Sequence, residues 1–431
     1  MVRIVEWSAE KPQSKYVTKF LARSAFPEEA EKAAAEVLAA IRAEGDRAVA
    51  RYVAKFEGAK LTPKRFRVTE DELAAAEAQV PPALRRAVKD AYTRVMRFSK
   101  ASLKAPWTMK TPKGGTAGEF YSPMDRVGVY VPGGTAPLAS TSVMTVTLAK
   151  AAGVKEIVAC TPAGKDGKVN PVLLFALKFA GATEVYRVGG IQAIGLLAFG
   201  TKTCRKVQKI AGPGNAFVTA AKRQVYGYVA IDQVAGPSEI AVLTDGSVDV
   251  RWIAADLLSQ AEHGVDSQAI LLTTSERLVE RVQEAITRQV EQLPRKEITE
   301  KALAHSRIIL LKNQEEVMAF TNRYAPEHLI IQTQNYAELA AQVENAGSVF
   351  LGPYTPESAG DYASGTNHTL PTNGYAKAYS GVNLDSFIKK ITFQEITREG
   401  IQSLGPTIQT MAAGEQLDAH KQAVTIRLTE K

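Results

Sequence analysis

From residue 126 to about residue 235 the chain alternates short apolar runs with longer helix-period segments, and glycines sit at the joints. RVGVYV, KEIVACT, EVYRV and VQKIAG are rich in β-branched and aromatic residues. The segments between them, APLASTSVMTVTLAKAAG, NPVLLFALKFAGA and IQAIGLLAFG, and NAFVTAAKRQVYG after the last, have helical length and composition. Near-continuous apolar strands joined through helices predict a parallel sheet covered on both faces. A second stretch repeats the rhythm: EIAVLTD, QAILLTT, RIILLK, HLIIQT and SVFLG read as strands, with long helices between them, up to residue 380.

The flanks differ. Residues 25–105 are Ala, Glu, Lys and Leu-rich with a 3.6-residue period, so they are expected to be mainly helical. Thr69 and Glu72 are spaced as a capping box. Residues 1–24 lack a period and read as an arm that either frays or packs on something else. After residue 380 the chain reads as helices around a short strand.

Composition excludes several classes. Apolar residues make up 45% and charged residues 23%, ordinary for a globular chain. The 53 Lys and Arg against 45 Asp and Glu leave a net charge of +8, but the basic residues are scattered, with no aromatic-interleaved basic run, so nucleic acid is not an expected partner. Two cysteines, Cys160 and Cys204, form no CxxC and imply reduced thiols. No signal-like N-terminus and no apolar run of membrane length is present, so a cytoplasmic protein without a membrane partner is expected.

The chemistry concentrates around the histidines. Gln260 and His263, in DLLSQAEHG, are spaced i, i+3, which places both on one helical face. An imidazole with amide or carboxylate oxygens suits zinc, although from this fragment alone a helix-end His favoured by the dipole is the preferred reading. Glu327 and His328, in YAPEHLII, stand where a loop enters a strand. On an extended chain they point opposite ways, one toward water and one toward substrate, and both titrate usefully for proton transfer. Asp361 and His368 share the polar loop SAGDYASGTNHTLPT, which is either functional or a plain connector. Glu415 and His420, in GEQLDAHKQAV, read by themselves as an exposed helix. His305 has no such context. Three glycine loops, VPGGTAPLAS, VGGIQAI and AGPGNAFV, follow strands and open helices, a setting for phosphate, although none is a full GxGxxG.

Taken together and in order, RVGVYVPGGTAPL, VGGIQAIGLLAFGT, KIAGPGNAFVTAAKRQV, AGPSE, DLLSQAEHG, YAPEHLIIQT, AGSVFLGPYTPESAGDYASGTNHTLPT and LDAHKQAV resemble the histidinol dehydrogenase family, from about residue 25 to the C-terminus. The resemblance implies an α/β fold of two incomplete Rossmann-like units, parallel sheets flanked by helices, with an N-terminal arm and a small C-terminal dimerisation region. It divides the chain into residues 1–24 (the arm), 25–126 with 236–380 (a first α/β domain), 127–235 (a second, with the NAD loops) and 381–431 (an intertwining dimer region). It implies oxidation of L-histidinol through the aldehyde to L-histidine with two NAD, in a homodimer with one Zn2+ per subunit. The ligands it implies are Gln260, His263, Asp361 and His420. It makes Glu327 and His328 the acid/base pair and places Ser238, His368 and Glu415 at the substrate and Tyr130, Gln192 and Asn215 at NAD. Glu415 and His420 would reach across from the partner. The alternative is a related zinc and NAD dehydrogenase of another primary alcohol, against which the match at Ser238, His368 and Glu415 counts. A binding protein without turnover would not need Glu327 and His328.

Overall fold

The computed structural model describes residues 2–8, 17, 20–21, 27–111, 114–133, 137–234 and 236–429. The chain forms two compact units, Met1–Ala101 with Asp125–Phe387, and Ser102–Met124 with Ile388–Lys431.

The larger unit holds two parallel sheets. The five-stranded sheet runs Glu184–Tyr186, Glu156–Cys160, Arg126–Tyr130, Lys209–Ala211, Ala230–Ile231. In chain order this is 3-2-1-4-5, so the topology reverses between Arg126–Tyr130 and Lys209–Ala211. The six-stranded sheet runs Arg3–Glu6, Arg307–Leu310, Gln268–Thr273, Glu239–Thr244, His328–Gln332, Ser348–Leu351. Its last five strands repeat the order 3-2-1-4-5. The two α/β stretches are therefore structural repeats, as their shared rhythm suggests. Both are Rossmann-like halves, in which ligands collect at the reversal.

Part of the expected arm is not loose. Arg3–Glu6 pairs in parallel with Arg307–Leu310 and adds the edge strand of the six-stranded sheet. Four residues are too few to show a period, so only their pairing reveals the strand. The 130–140 loop is described up to Gly133 and from Pro137; Gly134, Thr135 and Ala136 of the first glycine loop, Ala235 of AGPSE and much of the arm lie outside the described residues.

Among the N-terminal helices, Glu28–Glu44 and Asp46–Phe56 pack on the sheet-flanking helices Gly190–Phe199 and Ala216–Gln224, and Glu70–Gln79 and Pro82–Ala101 pack on Pro171–Ala180 and Ala139–Ala151. Ile41 packs at the Gly195 position of the helix Gly190–Phe199, where an added Cβ would come 2.6 Å from its side chain. The Thr69–Glu72 capping box forms reciprocally: the Glu72 N–H donates to Thr69 Oγ1 at 3.2 Å and the Thr69 N–H to Glu72 Oε2 at 2.9 Å. The core includes Tyr186, Ile194, Leu196 and Phe66, all fully buried. At roughly 1.5–3 kcal/mol per large apolar side chain, this burial is the main force holding helices to sheet. Cys160 and Cys204 are free and buried, and burial raises both thiols.

In the smaller unit, Ile388–Ile396 pairs antiparallel with Gly115–Pro123, which pairs with Trp107–Lys110. Two helices follow, Arg398–Gly414 and Asp418–Thr429, packed on each other. The short strand expected after residue 380 is thus the nine-residue edge of a three-stranded sheet whose other strands come from 102–124. No helix among the described residues is long and apolar enough to cross a membrane.

Candidate active site

A cavity of about 430 Å³ opens between the two sheets. From the five-stranded sheet it takes Pro132, Leu138, Ser140 and Thr141, which follow the first strand, and Pro213–Ala216, which follow the fourth. These are the loops at the carboxyl side of the topological reversal. From the six-stranded sheet it takes Ser238, Glu327 and His328, at the amino ends of strands 239–244 and 328–332. One sheet meets the cavity by its carboxyl ends and the other by its amino ends.

Ser238, His263, Glu327, His328, Asp361, His368 and Asn215 all line this one cavity. His328 opens its strand beside Ile240 and Ser348 and is 4% exposed. Its Nδ1 lies 3.1 Å from the Glu239 carbonyl oxygen, the geometry of an Nδ1–H donor, and its buried Nε2 has no hydrogen-bond partner among the described residues. Burial drives its pKa down to about 4, so the ring is neutral at pH 7. Glu327 Oε2 accepts the Glu239 N–H at 2.8 Å and lies 3.6 Å from His328 Nδ1. Burial, reinforced by the nearby carboxylates of Glu239, Glu357 and Asp361, holds its carboxyl well above the ordinary range. The two side chains do not face opposite ways as extended alternation implies. Glu327 precedes the strand in a bend, so both reach the same cavity.

The helix carrying Gln260 also differs from expectation. It runs Val250–Ala261, with Glu262 as its cap, so His263 lies in the following turn, its N–H still bonded to the Gln260 carbonyl at 3.2 Å. Gln260 is fully buried and His263 sits at the mouth, 39% exposed. With its amide nitrogen turned inward, Gln260 donates to the Glu239 carbonyl at 3.0 Å and to Glu357 Oε1 at 3.1 Å.

Asp361 Oδ2 is 3.9 Å from His263 Nε2, and its Oδ1 is buried with no hydrogen-bond partner among the described residues. His263, Glu357 and Asp361 offer ligand atoms that all lie within 4.8 Å of one another. Buried carboxylates and imidazoles with orphaned lone pairs fit a divalent cation. No Lys or Arg lines the cavity among the described residues, so no permanent positive charge in its wall competes with a cation. His368 Nε2 is a further buried, unpartnered atom, and burial takes this ring to about 4 as well.

The loops expected to hold a dinucleotide divide into two groups. Asn215 reaches the cavity while its Oδ1 caps the helix Ala216–Gln224, accepting the Val218 N–H at 3.1 Å. Tyr130 and Gln192 are buried and do not line it. The Tyr130 hydroxyl accepts the Gly190 N–H at 3.2 Å, and Gln192 Nε2 donates to Glu57 Oε1 at 2.7 Å. Glu57 also accepts the N–H groups of Gly189 at 3.0 Å and Ala163 at 3.2 Å. An internal carboxylate therefore sits where the VGGIQAI loop would take an anion. Glu415 ends the helix Arg398–Gly414 and His420 lies on Asp418–Thr429; both belong to the smaller unit and are exposed.

A sequence model of histidinol dehydrogenase matches residues 22–428. A curated histidinol dehydrogenase of Bacteroides fragilis is 55% identical over 391 residues, 90% of this chain and 91% of the relative. The chain belongs to the histidinol dehydrogenase family. The histidinol dehydrogenase of Vibrio vulnificus is 46% identical, covering 92% of this chain and 91% of its own. The crystal structure of histidinol dehydrogenase from Elizabethkingia anophelis superposes with a TM-score of 0.94 at 45% identity, covering 99% and 98% of the two chains. The chain is thus an oxidoreductase with the histidinol dehydrogenase fold.

Sequence reasoning missed two buried carboxylates packed behind the wall of this histidinol dehydrogenase cavity, Glu357 and Glu239. Glu357 is 1% exposed, accepts from Ser259 Oγ at 2.7 Å, and lies 3.8 Å from His263 Nε2 and 3.7 Å from His328 Nδ1. Burial and the neighbouring Asp361 carboxylate push its pKa up to about 8. Its i, i+4 spacing to Asp361 on the short helix Glu357–Tyr362 was the available signal. Glu239, buried at the start of its strand, had none, because it reads as an ordinary strand residue.

Proposed function

We propose that this member of the histidinol dehydrogenase family oxidises L-histidinol through L-histidinaldehyde to L-histidine with two NAD, the last steps of histidine biosynthesis. The observation that carries the reading is the cavity wall: three imidazoles and three carboxylates (Asp266, Glu327 and Asp361), orphaned polar atoms on His328, Asp361 and His368, and no Lys or Arg among the described residues. Such a wall selects a cationic guest, and an amino alcohol with an imidazole, held on a metal ion, is one.

Gln260, His263 and Asp361 would hold one Zn2+ per subunit, with His420 of a second copy as the fourth protein ligand. When bound, zinc orients the substrate's amine and imidazole nitrogens, and NAD is the hydride acceptor. Ser238 and His368 contact the substrate from this chain and Glu415 from the second copy, so the working form is a homodimer. Tyr130, Gln192 and Asn215 serve NAD. Asn215 does so from the cavity wall, and Tyr130 and Gln192 through the loop ends they bind.

His328 is the base in both oxidations. Its neutral ring presents an unpartnered Nε2 to the cavity, ready to take the alcohol proton as hydride leaves the substrate carbon. Glu327 then accepts a proton from the water that adds to the aldehyde. It does so as the carboxylate, a form that a positive charge held beside it would favour. As the water adds, His328 returns its first proton to the aldehyde oxygen, so the ring is neutral again when the hydrate loses its second hydride and it takes the hydroxyl proton. The enzyme is a cytoplasmic one on this reading, without nucleic-acid or membrane partners.

The test is NADH formation from L-histidinol with and without a chelator, counting NADH per substrate consumed. Two NADH per histidinol, lost on chelation and restored by zinc, is the expected result. A folded, zinc-loaded dimer that makes no NADH from histidinol but does so from another primary alcohol would overturn the substrate.

A further inference from the structure

The loop from Gly212 to Asn215 is clamped by a buried ion pair. Lys222 Nζ and Asp232 Oδ1 are in direct contact, and their side chains are 3% and 1% exposed. Asp232 Oδ2 accepts the Gly212 N–H at 2.8 Å. Lys222 Nζ donates to the Gly212 carbonyl at 2.9 Å. Both backbone polar groups of one glycine therefore end on one ion pair.

Gly212 itself admits no side chain: its φ is +121°, and a Cβ would come 2.2 Å from the Tyr130 carbonyl oxygen. Lys222 lies two turns into the helix Ala216–Gln224 that the loop enters, and Asp232 follows the edge strand Ala230–Ile231. The clamp thus ties strand, loop and helix together. Held so, Pro213, Gly214, Asn215 and Ala216 form one wall of the cavity.

A buried ion pair usually stabilises a fold no better than apolar side chains of the same volume. Its strength is geometric, because two charges and two fixed backbone groups allow one arrangement. The lysine charge is matched by Asp232, so Lys222 is not a phosphate ligand, although it stands near a glycine loop.

We propose that Lys222 and Asp232 are positioning residues for the dinucleotide. They set the 212–216 wall at the height that binds the cofactor and do not act on the metal or the substrate pocket. This rests on the reading that the wall holds NAD.

The experiment measures NADH dissociation constants by fluorescence titration of the intact enzyme, beside zinc affinity and the steady-state constants. Lys222→Met takes the contacting cation from the buried Asp232 carboxylate and leaves it only the nearby Lys209, so the double variant Lys222→Met with Asp232→Leu accompanies it and removes both charges of the clamp. The expected result is a folded double variant that binds zinc as the parent does. Its NADH dissociation constant and NAD KM should rise at least ~10-fold, with kcat at saturating NAD within ~3-fold of the parent, the signature of lost uniform binding. A double variant with a lower melting temperature but an NADH dissociation constant within ~2-fold of the parent overturns the proposal, because the clamp then serves stability alone. Failure of the parent itself to bind NADH would instead overturn the reading on which the proposal rests.

Discussion

Replacing Glu357 with Gln should stabilise the metal-free protein, and the gain should depend on pH in one direction. The carboxyl is 1% exposed and its pKa is raised to about 8 by burial and by Asp361. The folded value lies above the unfolded one, so the folded chain holds the extra proton and stability falls as pH rises. The loss begins near the unfolded value of 4.5 and is complete by about 8. At ~1.4 kcal/mol per pH unit it amounts to about 5 kcal/mol. Glutamine keeps the Ser259 hydroxyl as a donor to its oxygen and carries no charge at any pH. Urea unfolding of the chelated proteins across pH 5 to 8 checks this, with free energies from midpoint and slope. The variant and parent should agree within ~1 kcal/mol at pH 5 and separate by several kcal/mol at pH 8. Added zinc should close the gap by stabilising the parent more than the variant, since a cation pairs the charge that burial penalises. A difference that stays constant from pH 5 to 8 would refute the reasoning and remove Glu357 from the buried acidic cluster.

Four other outcomes follow from the same geometry. His328→Asn should abolish alcohol oxidation with zinc still bound, and Glu327→Gln should slow the aldehyde step more than the alcohol step; single-turnover assays of each half-reaction separate the roles, and equal losses in both contradict them. His420→Asn should weaken zinc binding by ~10-fold or more in a chelator competition, because a ligand is lost; unchanged affinity removes it from the shell. His368 is neutral in the folded chain down to about pH 4, so below pH 6.5 the unfolded chain binds the extra proton and stability falls with acid, by up to about 3 kcal/mol; His368→Gln should flatten that slope in urea melts between pH 4 and 7. Thr69→Ala removes the hydroxyl that accepts the Glu72 N–H and leaves the backbone N–H bond to the Glu72 carboxylate; it should cost about 1 kcal/mol with activity retained, read as a shifted urea midpoint.

The strand-helix alternation, the helical N-terminal region and the capping box were legible because each is a local pattern: apolar period, helix length and one side chain reaching three residues along. The three-stranded sheet was not, since its central strand Gly115–Pro123 acquires its second partner some 270 residues later, at Ile388–Ile396. The edge strand Arg3–Glu6 was hidden for the same reason, its partner being Arg307–Leu310. Ala230–Ile231 was missed because two residues carry no period.

The amino-acid sequence by itself determined the α/β class, the helices and strands that carry a local period, the family and the residue types that meet in the cavity. Propensity, periodicity and motif order are properties of the chain read along its length. Only the tertiary structure decided which of those residues share a wall, that Glu327 and His328 face the same space, and that Glu357 joins them. It also decided that one sheet offers its carboxyl ends and the other its amino ends, that Glu57 fills one glycine loop, and that Lys222 and Asp232 clamp another. Burial, pKa and hydrogen-bond partners depend on what approaches from distant parts of the chain, and no local pattern carries that information.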